Sequence, residues 1–159
     1  MIEKDQKSSL SFWINIENHT GKWLSVFHLT PDGENQSSNS RQPAIWLRDG
    51  DNRKFHIRND GVSHSNIGID TSNATLSYNQ WFFVTVSITL RQIKLFLNAS
   101  LTDTYSSSED FKFNNGIVYI GDKWHDKNHL IDNLRIFNRA LTDEEVQRIY
   151  LYEKNAGGL

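Results

Sequence analysis

The chain of 159 residues contains no cysteine, so disulfide frameworks, thiolate metal sites and cysteine nucleophiles are excluded together. A cysteine-free domain suits oxidising and reducing surroundings alike, which leaves the compartment open on this ground. An excess of charge of one sign is also missing. Seventeen basic against nineteen acidic residues give a net charge of −2, without the basic footprint that binding a phosphate backbone requires, so nucleic acid is not an expected partner. No stretch approaches the roughly 18 consecutive apolar residues of a membrane helix, and residues 1–7 are not a signal peptide; membrane insertion is not expected. What the chain does have is aromatic side chains: five Trp, nine Phe and five Tyr within 37% hydrophobic residues. That is too many for a disordered chain, and the length fits one domain with a real core.

Periodicity points to strands. Leu10, Phe12, Ile14 and Ile16 alternate with polar or outward residues, the pattern of a half-buried strand. Residues 23–29 are hydrophobic at both parities and are expected to be covered on both faces. Residues 31–42, rich in Asp, Gly, Asn and Ser, read as a long loop. A hairpin follows whose register can be derived. Ile45 and Leu47 share one parity on the first arm, Phe55 and Ile57 share one on the second, and opposed residues must face the same side. Leu47 therefore opposes Phe55, Ile45 opposes Ile57 and Trp46 opposes His56, with residues 49–53 as the loop. The outer face of this hairpin carries Trp46, Arg48, His56 and Arg58.

Phe82, Val84, Val86, Ile88 and Leu90, continued by Ile93, Leu95 and Leu97, read as a second hairpin. Arg91-Gln92 is its expected turn, which pairs Leu90 with Ile93 and Ser87 with Phe96. Further strands are expected at residues 117–121 and about 130–137. Thr142 followed by Glu145 is a capping box, Asp143 and Glu144 fill the first turn, Val146, Ile149 and Tyr150 keep helical spacing, and Gly157-Gly158 ends the helix. Many short strands and one terminal helix imply an all-β antiparallel two-sheet sandwich. Residues 9–153 are taken as the domain, residues 1–8 as a poorly structured leader or truncated edge, and residues 154–159 as a tail.

Three segments together resemble a known family. Ser11-Phe12-Trp13-Ile14 looks like an early Ser-Phe-Trp strand, Trp81-Phe82-Phe83-Val84 like a central strand opened by Trp, and residues 131–146, from Ile131-Asp132-Asn133-Leu134 to Val146, like a closing strand and short helix. The resemblance is to the laminin G-like branch of the concanavalin A-like lectin fold, and it covers about residues 9–152. It implies a jelly roll and a carbohydrate-recognition or adhesion module within a larger, extracellular or cell-surface protein. The chain departs from the pattern at Asn98-Ala99, where the family often has Asp-Gly, and at Asp132-Asn133, where it often has Asp-Asp.

The sequence carries no recognisable catalytic constellation. Retaining glycoside hydrolysis needs carboxyls about 5–5.5 Å apart, and no strand carries a Glu-x-Asp-x-x-Glu spacing. The six His show no zinc-binding cluster. An enzyme is not expected. Parity with Leu134 and Ile136 turns Asp132 inward, where a charge must be paired, hydrogen-bonded or metal-bound. It is read either as a calcium ligand assisted by Asp122, as the resemblance implies, or as a carboxylate accepting backbone N–H bonds. Trp46, Arg48, His56 and Arg58 are the candidate ligand face, since rings stack on sugar faces and Arg or His supplies hydrogen bonds. The alternative is a face that meets a neighbouring protein domain. Trp124 and His125, in a polar loop, form a second candidate, read equally as a Trp folded back onto the core. Four Asn-x-Ser/Thr sequons, at Asn18, Asn35, Asn73 and Asn98, are little above chance and decide nothing about secretion.

Overall fold

A computed structural model describes residues 7–31, 41–50, 53–72, 75–113, 115–121 and 128–157. Its strands, in chain order, are β1 (Ser8–Ile16), β2 (Leu24–Thr30), β3 (Ala44–Leu47), β4 (Phe55–Asn59), β5 (Ile67–Asp70), β6 (Trp81–Ile88), β7 (Gln92–Leu97), β8 (Ser100–Ser106), β9 (Ile117–Ile120) and β10 (His129–Phe137), followed by helix α1 (Asp143–Gly157). They form two five-stranded antiparallel sheets, ordered β10-β1-β6-β7-β8 and β5-β4-β3-β2-β9. Edge strands β5 and β8 touch, so β9 and β10 border the opposite flank of the sandwich.

Between the sheets, Phe12, Ile14, Leu24, Ile45, Leu47, Phe55, Ile57, Val84, Val86 and Leu95 are completely buried. Each contributes roughly 1.5–3 kcal/mol by leaving water. The first sheet is apolar on its outer side too: Trp13, Phe83 and Phe96 pack there against Leu141 and Val146. That second layer explains why a helix is attached at all. Thr142 caps it reciprocally, its backbone N–H donating to Glu145 Oε2 at 2.9 Å and its Oγ1 accepting from Glu145 N–H at 3.3 Å. Buried Glu153 accepts a hydrogen bond from Trp13 Nε1 at 2.7 Å and pairs with Arg135, so a charge on the helix's buried face is matched from β1 and β10. The helix continues to Gly157, through positions expected as a tail.

The first hairpin has the derived register, with Trp46 opposite His56 and Leu47 opposite Phe55. Its loop closes with the Arg48 N–H donating to Lys54 O at 2.9 Å. The β6–β7 hairpin is shifted by two residues from expectation. Ile88 opposes Ile93, Ser87 opposes Lys94, Thr85 opposes Phe96, and Thr89 N–H reaches Gln92 O at 2.9 Å, leaving Leu90-Arg91 as the turn. A two-residue slip keeps every side chain on its face, so alternation does not distinguish the registers. Leu90 is accordingly 39% exposed while Ile88 and Ile93 are buried.

Asp132 does not point inward. Between Ser11↔Arg135 and Trp13↔Asp132, β10 carries one extra residue, with Asn133 at φ +50°, a bulge of the kind that inverts parity. Ile131 and Leu134, three apart, both pack on the core, and Asp132 is exposed on the helix side beside its own Asn133 N–H, which donates to Oδ1 at 2.7 Å.

Candidate functional site

The outer face of the second sheet gathers four of the residues singled out in the sequence. Trp46 on β3 and His56 on β4 are direct cross-strand neighbours, and Asp70 on β5 is the next residue in the same row. Arg58, two residues beyond His56, shares this face. Asp70 ties the row together: its Oδ1 accepts from His56 Nδ1 at 2.6 Å, Arg48 Nη1 lies 3.9 Å from the same oxygen, and Arg58 Nη2 donates to Oδ2. Arg58 is 7% exposed; its Nη1 also donates to Ile69 O at 2.6 Å and Ile57 O at 3.2 Å. Opposite Arg58 stands Gly68, at φ +152°, where a Cβ would come within 2.1 Å of Ile57 O. Only glycine fits that crossing of β4 and β5.

Aromatic rings continue the face toward β2. Trp46 lies 5.6 Å from His28 and 5.8 Å from His56 between ring centroids, with the Arg41 guanidinium 5.4 Å from its own centroid. Trp23, immediately before β2, meets His56 edge-on at 4.8 Å. Arg41 is itself set in place by buried Asp60, whose Oδ2 accepts the Arg41 N–H at 3.1 Å and whose Oδ1 accepts that of Asn66 at 2.8 Å.

Partial burial pushes the Asp70 carboxyl upward, but the hydrogen bonds from His56 and Arg58 and the charge of Arg58 outweigh it and hold it below the usual carboxylate range. Burial pushes the His56 imidazole down, and the Asp70 bond offsets this only in part. At neutral pH Asp70 is therefore an anion and His56 a neutral ring that donates through Nδ1–H, which leaves Nε2 as an acceptor. The exposed portion of the face offers an Arg48 donor fork, Asp70 acceptor oxygens and the half-buried ring of Trp23. Arg48 and Asp70 side chains keep 43% and 42% of their surface accessible. Trp46, at 4%, is a supporting ring beneath this surface and not a platform on it.

The sequence therefore placed Trp46, Arg48, His56 and Arg58 together correctly but missed Asp70, Trp23 and Arg41. β5 has four residues, one of them glycine, too short for its alternation to register; Trp23 sat in a run hydrophobic at both parities. Trp124, His125 and Asp122 lie outside the described residues. Among the described residues, no group of three His, Asp or Glu side chains is placed to hold a metal ion.

The family described as the concanavalin A-like lectin/glucanases superfamily matches residues 2–147. No curated protein shows significant sequence similarity. Among solved structures, the binding domain of Paraclostridial Mosquitocidal Protein 1 superposes with a TM-score of 0.72 at 21% identity, over 94% of this chain and 38% of that one. The receptor binding domain of botulinum neurotoxin D gives 0.70 at 22% identity, over 93% and 37%, and the binding domain of botulinum neurotoxin serotype G gives 0.70 at 16%, over 95% and 37%. The chain thus spans under two-fifths of the length of these structures, and at such identities the likeness is one of fold.

Proposed function

The chain belongs to the concanavalin A-like lectin/glucanases superfamily, and from that premise we propose that it is a non-catalytic binding module that holds a saccharide on the outer face of its second sheet. The observation that carries the reading is Asp70, one carboxylate shared by Arg48, His56 and Arg58 beside the half-buried ring of Trp23. Sugar hydroxyls both donate and accept, and they are best matched by fixed, paired carboxylate and guanidinium groups next to an aromatic ring that covers the C–H face. Arg58 is held by Asp70 and by the backbone carbonyls of Ile57 and Ile69, which fixes the carboxylate before a ligand arrives and lowers the ordering cost of binding. The toxin domains that share the fold, one of them a receptor binding domain, add a context for this reading: recognition of a receptor by a domain of a larger protein.

A glycan array followed by calorimetry on the best hit tests this. Trp23→Ala and Arg48→Ala are each expected to weaken binding about tenfold or more, since a stacking or charge-assisted contact is worth ~1–2 kcal/mol. An array without a hit, or affinity that both variants leave unchanged, overturns the reading. A second reading, a protein-contact module without glycan affinity, is favoured by one observation: the apolar flank formed by β9 and β10, where Ile117, Ile120, Leu130 and Ile136 are about half exposed.

A further inference from the structure

Sheet edges are open templates for pairing, and proteins normally guard them with charge, proline or bulges. Three of the four edges here follow that rule. β5 carries Asp70, β8 carries Asp103, and β10 carries Asp132 and Arg135 with a bulge between them. β9 does not. Its sequence, Ile117-Val118-Tyr119-Ile120 between Gly116 and Gly121, has no charge, its composition is that of a strand packed against others, and Ile117, Val118 and Ile120 are 54%, 41% and 48% exposed. β9 is hydrogen-bonded to β2 on one side and to no other strand among the described residues on the other.

We propose that β9 pairs antiparallel with β9 of a second copy of this chain about a two-fold axis, joining two five-stranded sheets into one. Self-pairing sets each residue of the strand against residues of the same strand, so a charged position would meet like charge; β9 brings none, and its β-branched and aromatic side chains are the ones that form favourable cross-strand pairs. The same flank extends the contact beyond four residues. Leu130 and Ile136 on β10 are 45% and 57% exposed. That added surface is needed, because a stable interface buries about 800 Å² per partner and four residues of edge strand do not supply it. In the joined sheet Tyr119, which opposes His28, sits on the outer face that carries Trp46 and Asp70. Two ligand faces would then lie on one continuous surface, a bivalent arrangement. The pairing itself does not depend on the saccharide reading.

Sedimentation velocity on the chain from about 1 μM to about 1 mM, a range that resolves weak and moderately tight dimers, is expected to show a monomer–dimer equilibrium. Val118→Lys and Ile120→Lys each place like charges at the junction and should raise the dissociation constant at least about tenfold, while Leu101→Lys, on the exposed β8 edge, should leave it unchanged. A wild type that stays monomeric at the top of the range, or a dimer indifferent to both β9 lysines, overturns the proposal. Because a misfolded variant would also run as a monomer, hydrogen exchange of the wild type gives an independent readout: the amides of β9 that point away from β2 should gain protection with protein concentration, and constant exchange contradicts the pairing.

Discussion

At the scale of single residues, the second sheet's outer face turns on Asp70. Removing its charge leaves Arg58, 7% exposed, as a buried cation without its partner. Breaking a fully buried pair costs about 3–5 kcal/mol, but the Asp70 side chain is 42% exposed and solvent screens it, so Asp70→Asn is expected to lose about 1–2 kcal/mol in urea unfolding. A loss within error of zero would show that Arg58 is held by its backbone carbonyls alone. His129, at the start of β10, is expected to dominate the acid response. Burial lowers its pKa from 6.5 to about 4, so the unfolded chain binds a proton over that interval that the native chain does not. Its contribution to stability is complete above pH 6.5 and is lost as the pH falls toward 4, roughly 3 kcal/mol in all. His56 is shifted in the same direction and adds to the effect. The lowered carboxyls Asp70 and Glu145 titrate below this window. Urea midpoints measured between about pH 7 and pH 4.5 should therefore fall steeply for the wild type and less steeply for His129→Gln; parallel curves would remove His129 from the explanation.

At the scale of elements, legibility followed how many independent constraints each strand placed on its own register. The β3–β4 hairpin was readable because only one alignment sets both apolar pairs, Leu47 with Phe55 and Ile45 with Ile57, against each other, and it alone located Trp46, Arg48, His56 and Arg58. The β6–β7 hairpin left two alignments with identical faces, and alternation does not choose between them. On β10 the error was of another kind: the extra residue at Asn133 is invisible to a period-two reading and turned Asp132 to the wrong side. β8 has Ser or Thr at every second position, and on the other parity Asp103 separates Leu101 from Tyr105, so it presents no continuous apolar face to read and was not anticipated. The helix, by contrast, announced its start through Thr142 and Glu145, and its attachment can be tested in two places. Thr142→Ala removes the acceptor for Glu145 N–H and should cost ~1 kcal/mol. Glu153→Ala leaves Trp13 Nε1 without its acceptor and Arg135 without its partner, and should cost about 2 kcal/mol and alter Trp13 fluorescence. If Glu153→Ala unfolds at the wild-type midpoint, the helix is held by Val146 and its apolar neighbours alone.

At the scale of the whole molecule, the two sheets are unequal. The first is apolar on both sides, and α1 seals its outer face over Trp13, Phe83 and Phe96. The second turns Trp46, His56, Arg58 and Asp70 outward, where buried rings support a rim of exposed donors and acceptors. A sandwich needs only one core, so chemistry on the face that the helix does not cover is free to serve a ligand. This asymmetry was half legible: the aromatic and basic residues of the second sheet were read from sequence, the carboxylate that organises them was not. It also supplies its own control, because tryptophans stand on both outer faces. The most direct measurement is a titration of the ¹⁵N-labelled chain with the saccharide that best binds it, following the indole N–H signals. The account predicts that Trp23 and Trp46 shift while Trp13 and Trp81, under the helix, do not; saturable shifts at Trp13 and Trp81 with Trp23 and Trp46 unmoved would contradict it.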